Sequence, residues 1–370
     1  MSLACLALVN KQWLQAARDV LYSHVHLGSS ERSVRKTIES LLRTLSGSPA
    51  LAKIVRAIDF GSFYMEEGET KGLAKVIKLC DNLCEVRLNG WNSYELKDLV
   101  DALKSKKRLQ VLDISHSSLS DRDCGCFCYL PEFLEMLQGW PELRSATIWM
   151  DTVDYDNSGF SSDAGEEAPT AVKVIPGACP ELRRFNWLSG CLEQRHLAAI
   201  SQIAPSLSEF QLKEGSTMTR QDLLVPLQLW APHLTHFGLN FYEQVATWYV
   251  PDDDMEPIDR HLDDIISDMP LLRILDISSM FLKPATLSHG FPALTILDYR
   301  ISAEELDEFI SILSDPNAMP SLCELSLGPR VSQDELDSDL LDKMRTLCRS
   351  RGITLRGQFY REMLDWGISI

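Results

Sequence analysis

Apolar and polar positions alternate in short phrases along most of this chain, and one phrase keeps returning. It reads Pro-x-Leu-x-x-Φ-x-Φ, with Φ apolar, and opens at Pro141, Pro180, Pro205, Pro232, Pro270, Pro292 and Pro320. Without the proline it appears as Leu83-x-x-Val86-x-Leu88 and Leu109-x-x-Leu112-x-Ile114, and Val55-x-x-Ile58-x-Phe60 is an earlier copy. In Φ-x-Φ the two apolar residues share one face of a short strand and x takes the other. One such strand cannot bury its apolar face alone, whereas stacked copies share a continuous core. Proline ahead of the strand is tolerated because its missing N–H falls outside the ladder. Between the phrases the period lengthens to three and four residues. This predicts helices over 31–45, 72–80, 94–104, 130–138, 195–204, 220–231, 258–268, 303–314 and 333–350. Ser302-Ala-Glu-Glu305 reads as a capping box, with Ser at the N-cap and Glu three residues on. Gly352 to Leu355 reads as a last strand, with 359–370 covering the open end.

The leading leucines fall at 83, 109, 143, 182, 207, 234, 272, 294 and 322, with gaps of 26, 34, 39, 25, 27, 38, 22 and 28. Periods of roughly 20–29 residues with Leu-x-x-Leu-x-Leu belong to leucine-rich repeats, and longer ones need insertions. The expected fold is an α/β leucine-rich-repeat solenoid. It is a horseshoe with a parallel concave sheet and convex helices, preceded by a partial helical segment. Two acidic insertions account for the long gaps. Residues 151–170 hold six carboxylates and no Lys or Arg, and residues 249–257 include Asp252-Asp-Asp254 and Glu256. Both read as solvated loops, with recruitment of a basic partner as the second reading.

The first 27 residues differ from the rest. Leu6, Val9, Trp13, Ala17 and Val20/Leu21 recur at helical spacing, and β-type alternation begins at Tyr22-Ser-His-Val-His-Leu27. The stretch Leu6-Ala-Leu-Val-Asn-Lys-Gln-Trp13 through Ala17, Leu21-Tyr22 and His24-Val25-His-Leu27 resembles the second half of a fungal F-box-like domain and its following strand. Cys179-Pro-Glu-Leu-Arg-Arg-Phe and Met269-Pro-Leu-Leu-Arg-Ile-Leu resemble the repeat openings of the same leucine-rich-repeat family. The resemblance implies docking on a Skp1-type adaptor of a cullin–RING ubiquitin ligase through Leu6, Val9 and Trp13. It implies a non-catalytic, substrate-recognition subunit of an SCF complex in the ubiquitin conjugation pathway. An F-box of this family opens with a Leu-Pro-x-Glu segment and a helix ahead of this point. Met1 lies inside the motif, so about half of the F-box is expected to be absent, and truncation and loss both remain open. Trp13 is either a docking contact or an anchor against the first repeat. The organisation expected is a partial F-box-like segment over 1–27, a linking helix over 28–50, and the repeat solenoid over 51–370.

Composition narrows the partners. The chain has 370 residues, 45% of them hydrophobic, with a net charge of −17. Nucleic acid and anionic membranes select for basic surfaces, so neither is expected as a partner, whereas a basic protein substrate is favoured. No N-x-[Ser/Thr] sequon occurs, and the first apolar run, Leu3 to Val9, is too short to span a bilayer. A cytoplasmic or nuclear location with free thiols is expected, and a monomer within a complex. Cys80, Cys84, Cys323 and Cys348 sit where a repeat core would bury them.

Candidate chemistry is sparse. Cys124-Gly-Cys126-Phe-Cys128 offers three thiolates, but no fourth ligand falls at structural-zinc spacing. Asp252-Asp-Asp254 lacks the glycine and glutamate of a calcium loop. The eight histidines are scattered, and no hydrolase or phosphate-binding motif appears. The expectation is no enzyme, no cofactor and no metal. Partner binding is expected instead on the x residues of each strand and their outer neighbours. These are Glu85, Arg87, Asn89, Asp113, Thr147, Trp149, Arg184, Asn186, Gln211, Lys213, Asn240, Asp276, Arg300 and Glu324, with Trp149 the best single anchor. A repeat scaffold without a ligase link is the alternative, and a GTPase regulator the third.

Overall fold

The computed structural model describes residues 11–28, 34–61, 68–91, 95–115, 127–128, 130–149, 173–189, 192, 194–213, 220–240, 261–302, 304–329 and 338–356. The chain divides into two compact units: Met1–Gly190 with Gln202–Ala204, and Cys191–Ser201 with Pro205–Ile370.

The first unit contains α1 (Lys11–Ser23), β1 (His24–Gly28), α2 (Val34–Gly47), α3 (Pro49–Ala52), β2 (Ala57–Gly61), α4 (Glu69–Leu79) and β3 (Glu85–Asn89). Then come α5 (Leu96–Lys104), β4 (Val111–Ser115), α6 (Leu130–Gln138), β5 (Ser145–Trp149) and β6 (Arg184–Ser189). Strands β1 to β6 pair in chain order, every pair parallel. The second unit takes most of α7 (Gln194–Ile203), then β7 (Glu209–Lys213), α8 (Arg220–Trp230), β8 (His236–Asn240), α9 (Asp263–Ser267) and β9 (Ile274–Ser278). A 3₁₀ turn over Pro284–His289, β10 (Ile296–Ile301), α10 (Leu306–Ser314), β11 (Glu324–Pro329), α11 (Ser338–Arg351) and β12 (Thr354–Arg356) complete it. Its strands β7 to β12 are likewise parallel and in order. Each unit is thus an α/β leucine-rich-repeat solenoid.

The Φ-x-Φ phrase explains the core directly. Val25 and Leu27, Ile58 and Phe60, Val86 and Leu88, Leu112 and Ile114, and Ala146 and Ile148 are all buried. The next phrase brings Phe185 and Trp187, which meet Phe133 of α6 with ring centroids 6.4 and 5.9 Å away. In the second unit Phe210 stacks on Phe237 at 6.3 Å and lies 5.1 Å from Trp230 of α8.

The proline's role is more specific than tolerance. Leu143 N–H bonds to Trp140 O at 3.1 Å, Leu182 to Cys179 at 3.3 Å, Leu272 to Met269 at 3.3 Å, Leu294 to Phe291 at 3.2 Å and Leu322 to Met319 at 3.2 Å. Each of these five prolines, Pro141, Pro180, Pro270, Pro292 and Pro320, therefore occupies the second position of a hydrogen-bonded β-turn, where its fixed φ is already correct. Trp140, Cys179, Met269, Phe291 and Met319, one residue ahead of each proline, are all buried. The turn delivers the chain onto the preceding repeat. Arg56 O accepts from Cys84 N and Glu85 N at 2.8 and 3.0 Å, and Thr295 O accepts from Cys323 N and Glu324 N at 3.0 and 3.1 Å. Side chains at the same position reinforce the lock: Cys84 Sγ to Arg56 O at 3.3 Å, Thr235 Oγ1 to Ser208 O at 3.1 Å, Thr295 Oγ1 to Arg273 O at 3.0 Å and Cys323 Sγ to Thr295 O at 3.2 Å.

Several expectations change. The alternation read at Tyr22 to Leu27 forms β1, which pairs with β2. The first helix runs on to Ser23, past Tyr22. Cys80 and Cys348 are buried as expected, but Cys84 is half-buried and Cys323 exposed. Those two sit one residue after the leading leucine, a position that faces the carbonyl of the previous repeat rather than the core. The capping box forms only in part. The Glu305 carboxylate accepts from Ser302 N at 3.2 Å, but Ser302 Oγ donates to that carboxylate at 2.8 Å, and α10 starts only at Leu306. The two acidic insertions, Cys124, Cys126 and the 359–370 segment lie outside the described residues.

Candidate functional site

Strand alternation leaves one sheet face uncovered by the apolar core in each unit. Parallel strands are spaced about 4.8 Å apart, so residues in register form rows across that face. In the first unit the middle row is His26, Asp59, Arg87, Asp113, Thr147 and Asn186. His26 Nδ1 meets Asp59 Oδ2 at 3.1 Å. Arg87 lies in register between Asp59 and Asp113 and ion-pairs with Glu85 of its own strand. Glu85 Oε1 has no well-formed hydrogen bond, so the contact is one of charge. Burial pushes the Asp113 carboxyl above the usual carboxylate range, while Arg87 pulls it back and Asp59 pushes it further up. Asn186 Nδ2 donates to Thr147 Oγ1 at 3.4 Å. Much of this row is bonded within itself.

The second unit's middle row is Gln211, Gly238, Asp276, Asp298, Ser326 and Arg356. Gln211 Nε2 reaches across Gly238 to Asp276 Oδ2 at 3.4 Å. A Cβ at Gly238 would lie 2.9 Å from Gln211 Cγ, so the glycine makes room for this crossing. At the far end Arg356 pairs with Glu324 at 3.3 Å.

The structure therefore brings together Glu85, Arg87 and Asp113, joins Thr147 to Asn186, and joins Gln211 to Asp276. Asn89 ends β3 beside Gly61 and Ser115. Arg184 stands exposed in register with Ser145. Arg300 lies beside Gly328, and Glu324 between Ile296 and Thr354. Trp149, Lys213 and Asn240 end their strands, but their side chains lie outside the described residues, as does that of Trp13. Leu6 and Val9 fall outside altogether. Sequence reasoning missed His26, Asp59, Asp298, Ser326 and Arg356. Each stands at a middle-row position, so the same alternation that selected Asp113 could have found them.

On α1, Ala17 is buried, while Val20 and Leu21 are exposed apolar side chains on the last turns. Among the described residues no group of three or more His, Cys, Asp or Glu could hold a metal ion, and no helix is long and apolar enough to cross a membrane.

No protein-family profile matches the chain, and no curated protein matches it. Among solved structures it is similar to the yeast Rad7 and Elc1 complex, at 12% identity and a TM-score of 0.48, over 94% of this chain and 78% of that one. It is also similar to the leucine-rich repeat-containing protein LegL7 from Legionella pneumophila, at 14% identity and a TM-score of 0.36, over 88% of this chain and 97% of that one. Likenesses this distant carry no weight on function.

Proposed function

We propose that this chain is a non-catalytic recognition subunit of an SCF-type ubiquitin ligase. Its polar sheet faces hold a protein substrate, and its N-terminal segment docks on a Skp1-type adaptor. The observation that carries the recognition half is the polar face running across all the strands of each unit, with its side chains in register. A rigid sheet that presents ordered polar side chains on one face, with its core on the other, is suited to binding a macromolecule. The adaptor half is supported by the F-box-like stretch Leu6 to Leu27, and by Val20 and Leu21 standing exposed on α1. Leu6, Val9 and Trp13 are the side chains assigned to the adaptor. The reading goes with a cytoplasmic or nuclear location.

A repeat scaffold with no ligase link is the second reading. It is favoured by the pairing of β1 with β2, which makes the N-terminal segment part of the repeat architecture. A pull-down of the chain with purified Skp1-type adaptor separates the two. Retention is expected, with loss of about tenfold or more in affinity for Trp13→Ala and for Val20→Asp. No retention of the unaltered chain would leave the scaffold reading in place. A GTP-hydrolysis assay with candidate GTPases disposes of the regulator alternative.

A further inference from the structure

We propose that the turn edge of the first unit, around Cys80 to Cys84, binds an acidic segment of a protein partner. This surface is separate from the polar sheet face and from the adaptor segment, so the inference goes beyond the reading above and does not depend on it.

Three successive repeats bring cations to this edge. Lys53 and Arg56 precede β2, Lys78 lies in the last turn of α4, and Lys106, Lys107 and Arg108 precede β4. Hydrogen bonds gather them about one turn. Asn82 Nδ2 donates to Lys53 O at 2.8 Å, and the Arg108 guanidinium donates to Asn82 Oδ1 at 3.4 Å. Cys84 N donates to Arg56 O at 2.8 Å. Lys106 Nζ donates to Lys78 O and to Cys80 O, both at 3.1 Å. Parallel strands lie about 4.8 Å apart, so from β2 to β4 the backbone under this patch spans roughly 10 Å. Lys106 is only 5% exposed and ties the end of α4 to the next repeat, so the cations stand on a fixed frame.

The balance of charge here is the reverse of the chain's. Overall, 53 Asp and Glu outnumber 36 Lys and Arg. Around this turn six cations surround a segment that carries one carboxylate, Asp81. Lys53, Arg56, Lys78, Lys107 and Arg108 are exposed, and none of the five is ion-paired among the described residues. Asp81 is exposed as well and forms an ion pair with none of them. Other carboxylates of the same repeats are committed elsewhere. Glu69 accepts from Arg35 N at 2.7 Å at the start of α2. Glu95 accepts from Gly68 N and Lys71 N at 2.8 and 3.1 Å, at the end of α4 away from the turn. Asp59 and Glu85 lie on the sheet face with His26 and Arg87. Like charges gathered without counter-charges repel one another, and a bound anion relieves that repulsion.

The extent of the patch selects the kind of anion. A nucleic-acid duplex carries one charge per about 1.7 Å of its axis, so any contact longer than the patch sets phosphates against a chain of net charge −17. An extended peptide advances about 3.3 Å per residue, so three or four successive carboxylates match the patch and end where it ends. Ammonium and guanidinium groups then give those carboxylates charge-assisted hydrogen bonds.

The test uses the full chain without any adaptor, at about 20 mM salt, where exposed charges are least screened. The probe is a fluorescein-labelled peptide, Gly-Ser-Asp-Glu-Asp-Glu-Ser-Gly, read by fluorescence anisotropy. The control peptide replaces each Asp by Asn and each Glu by Gln. The acidic peptide should bind and the neutral one should not. Affinity should fall about tenfold for the double variant Lys53→Gln with Lys107→Gln, whose two ammonium groups make no hydrogen bond in the folded chain. Asp81→Asn should tighten binding about twofold to threefold, a gain that a merely structural role would not produce. Lys36→Gln with Lys97→Gln, two exposed lysines elsewhere on the unit, should leave affinity unchanged. Thermal melts of each variant separate lost binding from lost folding. Equal binding of the neutral peptide overturns the proposal, as does no binding, an affinity unmoved by Asp81→Asn, or an equal loss in the Lys36 and Lys97 control. Tighter binding of a single-stranded oligonucleotide of equal charge, with the same dependence on Lys53 and Lys107, would make this a nucleic-acid surface and would also overturn it. So would self-association of the chain that the double variant abolishes. None of these substitutions touches the sheet face or the adaptor segment, so failure here leaves the ligase reading untouched, and failure of the adaptor pull-down leaves this result standing.

Discussion

Raising the pH should unfold this protein through its buried thiols, with Cys179 the test case. Cys179 lies fully buried in a proline turn and donates its thiol hydrogen to Trp140 O at 3.2 Å. Burial pushes its pKa from 9.0 to about 12, while Cys80 and Cys348 rise to about 11 for the same reason. In the unfolded chain these thiols ionise near 9.0, and in the folded chain they stay protonated. Their contribution is therefore intact below pH 9.0 and is lost progressively as pH climbs from there to the folded values. At pH 10 the unfolded state gains a factor of about 11 per thiol, or about 1.4 kcal/mol each and about 4 kcal/mol for the three. The figure at pH 10 hardly depends on whether a folded value is 11 or 12, because either thiol is still almost wholly protonated. Lysines and tyrosines also titrate in this range, so the informative quantity is a difference between variants. Cys179→Ala costs stability at every pH through its lost contacts. Its fall in stability from pH 8 to pH 10 should nevertheless be smaller than the unaltered chain's by about 1.4 kcal/mol. Urea titrations followed by tryptophan fluorescence at the two pH values measure this. An identical fall in both proteins would refute the reasoning, since it would mean that Cys179 ionises in the folded chain as readily as in the unfolded one.

Two further expectations concern the helices behind the sheet. Lys106 is only 5% exposed and donates to Lys78 O and Cys80 O at the end of α4, both at 3.1 Å. Lys106→Met should expose those carbonyls to an apolar neighbour and cost about 1–3 kcal/mol in chemical denaturation. Gly72 on α4 faces Ile38 of α2, and a Cβ there would lie 2.7 Å from Ile38 Cγ2. Gly72→Ala should destabilise by about 1–3 kcal/mol despite its better helix propensity, and the same change should cost less in an Ile38→Ala background, which lacks the Cγ2 methyl.

The periodicity made the strands legible because burial there depends only on residue order. Leu112 and Ile114, or Leu275 and Ile277, face the core wherever the next repeat lies. The proline turn was half legible. Its position was visible, but the buried residue before it varies from Cys179 to Trp140 to Met319, so no single residue type marked it. Cys323 misled for the opposite reason: a small apolar residue next to a core leucine looks buried, but its direction is set by the turn. The candidate site was legible one residue at a time. Asp276 could be placed on the open face from alternation alone. Its relation to Gln211 could not, because the two are 65 residues apart and meet only through the register of β7, β8 and β9.

The link between each proline turn and the carbonyl of the preceding repeat has a consequence for how such a chain can change length. From the turn to the end of the strand, the count of residues is held by hydrogen bonds on both sides, as from Cys80 to Asn89 or from Met319 to Pro329. Repeats nevertheless differ widely in span, and the surplus residues fall after the strand, as between Ser115 and Leu130 or between Asn240 and Asp263. The strand ends are thus the protein's growth points. A loop, tag or extra helix grafted there leaves the joints intact, whereas one residue added between turn and strand would turn every side chain of that strand to the opposite face.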